Sequence, residues 1–201
     1  MEKLLQNIAL PEKARQYCLE LQQRFDFDFR WSAPRRTRLG DFTGRPGVRP
    51  VITVNTDLNP YAFLIPYIHE TAHCAVFRRY GNRVAPHGKE WKQCFRELAL
   101  PVLTAEIFPE ELLYAFARYL KNPKASSSGD PNLMIAVKKY DTAEDATNKK
   151  PLKYLNEGAL FVFNGKGFVK GPLRRTRVLC VETTSKKKYT IAAHALVEEQ
   201  I

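Results

Sequence analysis

A single short segment, residues 67–75, constrains this chain more than any other part of the sequence. It contains the pattern H-E-x-x-H, formed by His69, Glu70 and His73. Apolar residues around the pattern recur at steps of four, which predicts an α-helix. On a helix, a spacing of four brings both imidazoles to one face, where they can bind the same cation. The neighbouring carboxylate can hold and deprotonate a water molecule bound to that cation.

A catalytic zinc ion needs a third protein ligand, because such sites have three ligands and one open position. A metzincin would carry glycine and histidine at the positions of Val76 and Arg79, so this chain departs from that pattern. Glu90 and Glu97 lie beside the apolar stripe of a predicted helix, with no obvious inward aim. The remaining candidate for the third ligand is His87.

The segment His87-Gly88-Lys89-Glu90-Trp91 adds a His-Gly-x-x-aromatic pattern to H-E-x-x-H. This combination resembles the SprT-like zinc metalloprotease family, to which Spartan belongs, over roughly residues 10–120. The resemblance implies a zinc endopeptidase with a zincin-like fold, in which helices pack on a short sheet. It implies cleavage of proteins associated with or crosslinked to DNA, and hence a role in DNA–protein crosslink repair. It also implies one catalytic Zn²⁺ bound by His69, His73 and His87, with Glu70 as the general base.

Hydrophobic periodicity predicts an α+β chain. Predicted helices begin after Pro11, at Asn59, near Gly88, after Pro109 and at Asp130. The predicted strands cover residues 25–31, 35–42 and 51–54, with a Gly/Pro-rich turn over 44–50. Pro66 lies inside the long helix that starts at Asn59, so that helix is expected either to kink at this proline or to begin there.

A polar linker over residues 141–150 is predicted to separate two domains. Residues 1–140 would form the SprT-like metalloprotease domain, and residues 151–201 a small all-β domain. Many SprT-like proteins carry a C-terminal zinc ribbon built on two cysteine pairs. Here the second domain holds only Cys180 and His194, so we expect no second zinc site.

Positive charge is concentrated in residues 149–190, which contain 11 Lys and Arg against two Asp and Glu. Such a surface on a β domain predicts sequence-tolerant binding to the phosphate backbone of DNA. A solvated face that only keeps the protein soluble is the alternative. The candidate nucleic-acid-binding residues are Lys166, Lys170, Arg174, Arg175, Arg177, Lys186, Lys187 and Lys188.

Two other functions stay open at this point. One is a nucleic-acid-binding protein whose zinc site is structural. The other is a zinc hydrolase of a different class, such as a deformylase, which takes a cysteine ligand from earlier in the chain; Cys18, on a predicted helix, is an unpromising donor.

The cellular location is predicted from cysteine spacing and hydrophobicity. The cysteines form no CxxC pair, which favours buried free thiols in a reducing compartment. No apolar run approaches the roughly 18 residues of a membrane span, and the first residues lack the features of a signal peptide. We therefore expect a cytoplasmic protein, nucleoid-associated if bacterial, with a protein or peptide substrate and no membrane partner; no oligomeric state is predicted.

Overall fold

The structure, a computed structural model, describes residues 1–6, 8–35, 38–125, 129–141 and 149–200. The helices are α1 (Glu2–Leu5), α2 (Glu12–Phe25), α3 (Pro60–Tyr80), α4 (Lys89–Ala99), α5 (Glu110–Leu120) and α6 (Pro131–Lys138). The strands are β1 (Asp28–Ser32), β2 (Gly40–Arg45), β3 (Val48–Asn55), β4 (Lys149–Pro151), β5 (Leu160–Phe163), β6 (Lys166–Arg174), β7 (Arg177–Glu182), β8 (Lys188–Ala192) and β9 (Leu196–Gln200).

A short mixed sheet supports the helical part of the chain. Strand β3 lies at its centre, with β1 parallel on one side and β2 antiparallel on the other. Helix α3 packs against β2 and β3. The shared core contains fully buried side chains from the sheet, such as Ile52 and Val54, and from α3, such as Phe63 and Tyr67. This order leaves β2 at an edge of the sheet, beside α3.

Helix α3 is continuous from Pro60 to Tyr80. The side chain of Asn59 accepts hydrogen bonds from the backbone N–H groups of Tyr61 and Ala62, which fixes the start of the helix. The prediction that the helix begins at Pro66 is therefore wrong, because the cap lies nearly two turns earlier. None of the described helices, α3 included, is long and apolar enough to cross a lipid bilayer.

The boundaries of the first two strands differ from the prediction. Helix α2 extends through Phe25 and ends at Asp26, whose φ of 43° is left-handed, so β1 begins only at Asp28. Strand β2 covers Gly40–Arg45, and the predicted turn over 44–50 shrinks to the two residues between β2 and β3. The predicted strand over 35–42 is thus displaced towards the C-terminus, and its Arg36 lies outside the described residues.

The C-terminal part is a separate, all-antiparallel sheet with the strand order β4-β9-β5-β6-β7-β8. It has its own hydrophobic cluster, which includes Phe161, Phe168 and Val178 and shares none of its described residues with the cluster around α3. The α+β prediction is confirmed in this form. The domain boundary stays a prediction, because most of the proposed linker, residues 142–148, lies outside the described residues.

Candidate metal centre

The structure brings together the three histidines that the sequence singled out. Helix α3 supplies His69 and His73 from adjacent turns, and the loop before α4 supplies His87. One nitrogen of each ring lies within 4.8 Å of the corresponding nitrogens of the other two. The Nε2 atoms of His73 and His87 are 3.0 Å apart.

The three imidazoles fit a single small cation. Zinc binds imidazole nitrogen at about 2.0–2.1 Å in tetrahedral geometry, which places two such nitrogens roughly 3.3 Å apart. The Nε2 atoms of His73 and His87 are close to that separation. In addition, Nδ1 of His69 is buried and has no hydrogen-bond partner among the described residues. An unpaired buried nitrogen is unusual in a folded protein, and at Nδ1 the ring is held by packing rather than by a hydrogen bond from a described residue.

The surroundings keep the imidazoles neutral, which is the form that binds metal. Burial, followed by the neighbouring His73 and His87, holds the pKa of His69 well below its ordinary value. Burial and then His87 lower the pKa of His73 to about 3. Burial also lowers the pKa of His87. The lone pairs of all three rings are therefore available near neutral pH.

A single indole supports the three rings. Trp91, fully buried on α4, lies with its ring centre 4.5 Å from that of His69, 5.2 Å from His73 and 4.8 Å from His87. Phe95 stacks on the other side of the indole at 5.1 Å. Trp91, the aromatic residue of the His-Gly-x-x-aromatic pattern, thus packs against all three candidate ligands.

Glu70 lies beside the histidines and is packed against strand β2. Its side chain is only 8% exposed. Burial, and then Asp41, raises the pKa of Glu70 to about 8, while Arg35 and Arg38 oppose the shift. At Gly40, a Cβ atom would lie 2.8 Å from Cγ of Glu70, so only glycine allows this close approach.

A buried asparagine organises the loop that carries the two arginines near Glu70. Asn55, 1% exposed at the end of β3, donates from Nδ2 to the backbone oxygens of Arg35 and Arg38. Its Oδ1 accepts from Nε of Arg35 at 2.9 Å and from the hydroxyl of Ser32 at 3.1 Å. The sequence analysis missed this role, because an asparagine at the end of a strand reads as an ordinary turn residue.

The candidate centre opens into a cleft of about 530 Å³ between α3 and the edge strand β2. Phe42 of β2 stacks on His73, with the ring centres 6.2 Å apart. The sequence analysis did not assign β2 to the site. The sequence offered only Gly40 as a signal, because a glycine within a predicted strand often marks a close approach of another element, whereas Gly44 was predicted to lie in a turn. The cleft is lined by Gly40, Asp41, Phe42, Gly44, His69, Glu70, His73, Val76, Phe77, Gly81, Asn82, Val84, Pro86, His87 and Ala125.

The backbone of β2 is available for pairing on one side. The N–H of Asn55 donates to the carbonyl oxygen of Leu39, and Gly40 and Phe42 lie opposite Val54 and Ile52. Opposed residues in an antiparallel pair alternate between hydrogen-bonded and non-hydrogen-bonded positions. Gly40 and Phe42 therefore direct their backbone polar groups away from β3, towards the cleft edge, where no described strand pairs with them.

The predicted nucleic-acid-binding residues lie mostly at two separate turns of the C-terminal sheet. Arg174, Arg175 and Arg177 lie at the β6–β7 turn, whereas Lys186, Lys187 and Lys188 lie at the β7–β8 turn. These turns are at opposite ends of β7, a strand of six residues, and so roughly 20 Å apart.

Three of these residues are engaged within the sheet. Lys170 is 6% exposed and donates from Nζ to the carbonyl oxygen of Leu155, so we remove it from the predicted interface. Lys166 pairs with Glu182 at 3.1 Å. Arg177 donates to the backbone oxygen of Thr190.

Cys18 does not join the candidate centre. It is fully buried on α2, and burial raises the pKa of its thiol far above the usual range. Among the described residues, the possible metal-binding cluster contains only the three histidines. A cysteine ligand of the deformylase kind is therefore not provided by Cys18.

Comparison with known proteins gives one match. Residues 9–107, about half of the chain, match the SprT-like family. No curated protein and no solved structure matches the chain. The matched range contains the candidate ligands, Glu70 and all three strands of the mixed sheet.

Proposed function

Since this chain belongs to the SprT-like family through residues 9–107, we propose that it is a zinc-dependent endopeptidase with a zincin-like catalytic domain. The observation that carries the proposal is the meeting of three imidazoles with Glu70 in one cleft. A zinc ion bound there would supply Lewis acidity to a water molecule and to the substrate carbonyl.

The residues of the chain divide the remaining work. In its carboxylate form, which a neighbouring cation would favour, Glu70 is placed to accept a proton from a water molecule in the cleft and to pass it to the leaving amine. Gly40 and Phe42 offer backbone groups that can pair with an extended peptide by β-strand addition. Recognition through the main chain favours broad sequence tolerance, because it reads no side chain.

A Glu70→Gln variant tests the proposal directly. We expect the variant to bind zinc as the wild type does and to lose cleavage of an unfolded protein substrate, since the amide cannot accept the proton. Zinc content by mass spectrometry under native conditions is the control. Cleavage at the wild-type rate would refute the peptidase and leave a structural zinc site in a nucleic-acid-binding protein.

The proposal extends to substrates that are bound or crosslinked to DNA. The support is the excess of positive charge in residues 149–190 and the exposure of the lysines at the β7–β8 turn. Changing Lys186, Lys187 and Lys188 to glutamine should weaken binding to an oligonucleotide. The slope of log K against log salt concentration should become shallower by about one unit for each phosphate that the protein no longer neutralises. An unchanged slope would remove this turn from any DNA interface.

A further inference from the structure

A second cleft continues from the candidate metal centre along the same two elements. Its volume is about 580 Å³, and it lies between the β2–β3 hairpin and the C-terminal end of α3. Phe77, Gly81 and Asn82 line both clefts, so the second cleft is an extension of the first.

The second cleft is strongly basic. Five arginines and one acidic residue, Asp26, line it. Two of these arginines are neutralised: Arg49 pairs with Asp26 and Asp28, and Arg78 pairs with Asp26. The other three have no acidic partner among the described residues, and all three are exposed; we call Arg45, Arg79 and Arg83 the free arginines.

The local fold gives two of the free arginines a partial role and leaves the charge of all three without an acidic partner among the described residues. A basic residue in the last turn of a helix offsets the helix dipole, which accounts for Arg79. Arg83 donates from Nε to the carbonyl oxygen of Tyr80 at the end of α3, and Arg79 lies over the ring of Tyr80. Arg45 lies at the end of β2 and has neither kind of contact among the described residues. Even so, three guanidinium groups without acidic partners around one cleft repel one another unless an anion joins them.

The distance from Glu70 fits a bound peptide. Five residues of β2 separate Gly40 from Arg45, or about 17 Å of extended chain. Nine residues of α3 separate Glu70 from Arg79, or about 14 Å along the helix. An extended peptide covers this distance in about four or five residues.

Backbone pairing cannot extend over the whole distance. The register of β2 shifts between Thr43 and Arg45, and such a bulge interrupts the regular ladder. A peptide paired with Gly40 and Phe42 would leave the ladder at the bulge and enter the arginine-lined cleft. Beyond the bulge, recognition therefore depends on side chains, and the side chains present are cationic.

We propose that the free arginines form a subsite for acidic side chains of the protein substrate, about four or five residues from the cleaved bond. This inference rests on the proposed function, because it places the substrate on β2. It adds a charge preference to a site that otherwise reads only the main chain. A peptide fits better than a nucleic acid, because the edge of β2 leads into the cleft and its described lining has one aromatic ring, Phe77, which packs on Phe42.

Peptide binding tests the subsite without relying on catalysis. The zinc-loaded, full-length Glu70→Gln protein is mixed with fluorescent peptides of equal length. Each peptide carries two glutamates, or two glutamines, about four and five residues before or after its central bond. We expect each glutamate on one side to tighten binding by up to about fivefold at low salt, the effect of a favourable exposed ion pair. The preference should fade at about 0.5 M salt, where charges are screened within a few ångströms.

Charge-removing variants show which residues are responsible. Changing Arg45, Arg79 and Arg83 together to glutamine should abolish the preference and leave the affinity for the glutamine peptide unchanged. Arg118→Gln, an exposed arginine on α5 outside this cleft, is the matched control and should keep the preference. Thermal unfolding confirms that each variant is folded.

The possible outcomes separate this inference from the proposed function. Equal binding of both kinds of peptide, or a preference that survives in the triple variant, overturns the subsite. A triple variant that loses oligonucleotide binding but keeps the peptide preference assigns the arginines to nucleic acid and also overturns it. If the wild-type protein cleaves no peptide but the binding preference depends on the arginines, the subsite stands and the peptidase does not.

Discussion

Replacing Gly40 by alanine would test whether β2 holds Glu70 in place. The added Cβ would lie 2.8 Å from Cγ and 2.9 Å from Oε1 of Glu70. Carbon atoms in contact prefer about 3.5 Å or more, so the Glu70 side chain would have to move by roughly 0.7 Å. A shift of up to about 1 Å at a reacting group costs as much as 100-fold in rate, and we expect kcat/KM to fall by about 10- to 100-fold. This corresponds to about 1.4–2.7 kcal/mol in the activation free energy.

The assay compares kcat/KM for an unstructured peptide with zinc content and thermal stability. Zinc binding should be unchanged, because the crowding involves Glu70 and none of the three imidazoles. Gly167→Ala is the control: its Cβ would meet the hydroxyl of Thr183 at 2.7 Å, similar crowding in the other sheet. This control should turn over substrate normally. If Gly40→Ala instead keeps kcat/KM within about twofold of wild type, contact with β2 does not position Glu70.

Three further changes have defined outcomes. His87→Ala should remove most of the thermal stabilisation by zinc, which for a wild-type site at 100 times its Kd is about 2.7 kcal/mol; an equal stabilisation of the variant would exclude His87 as a ligand. Burial, and then Lys138 and Arg177, lowers the pKa of His194 to about 4. Between about pH 6.5 and pH 4 the unfolded chain therefore binds a proton at this histidine that the folded chain does not bind. The free energy of unfolding consequently falls as the pH drops through this range. Because His194 is partly solvated, His194→Gln should lessen this loss by only about 1–2 kcal/mol in chelator-treated protein, and denaturant curves with identical pH slopes would contradict the assignment. Lys170→Met should lower the free energy of unfolding by about 1–3 kcal/mol, since the carbonyl of Leu155 loses its partner, without changing oligonucleotide affinity; weaker DNA binding would return Lys170 to the interface.

The candidate ligands were predictable because their geometry is local. A spacing of four fixes the relative position of His69 and His73 on any helix. Local residues also indicate where that helix starts and ends, because Asn59 can cap its first turn and Gly81 follows its last turn. His87 required the additional pattern that it forms with Trp91, since no local rule brings a loop residue back to a helix.

The parts of the site that depend on long-range packing were not predictable. Gly44 was assigned to a turn because glycine is rare in strands, yet in β2 it allows close contact with Phe42 and Phe77. Strand alternation does indicate that Lys170 is buried, because it lies two residues after the buried Phe168 and so on the same face of the sheet. Its charge suggested a surface position, and the carbonyl of Leu155 that accepts a hydrogen bond from its Nζ is known only from the fold.

The separation of the two hydrophobic clusters allows the two halves of the chain to diverge at different rates. A substitution around Phe161 or Val178 leaves the packing beneath the histidines untouched, because the described clusters share no side chain. Substitutions can therefore remodel or recharge the C-terminal sheet without altering the packing of the half that holds the candidate metal centre.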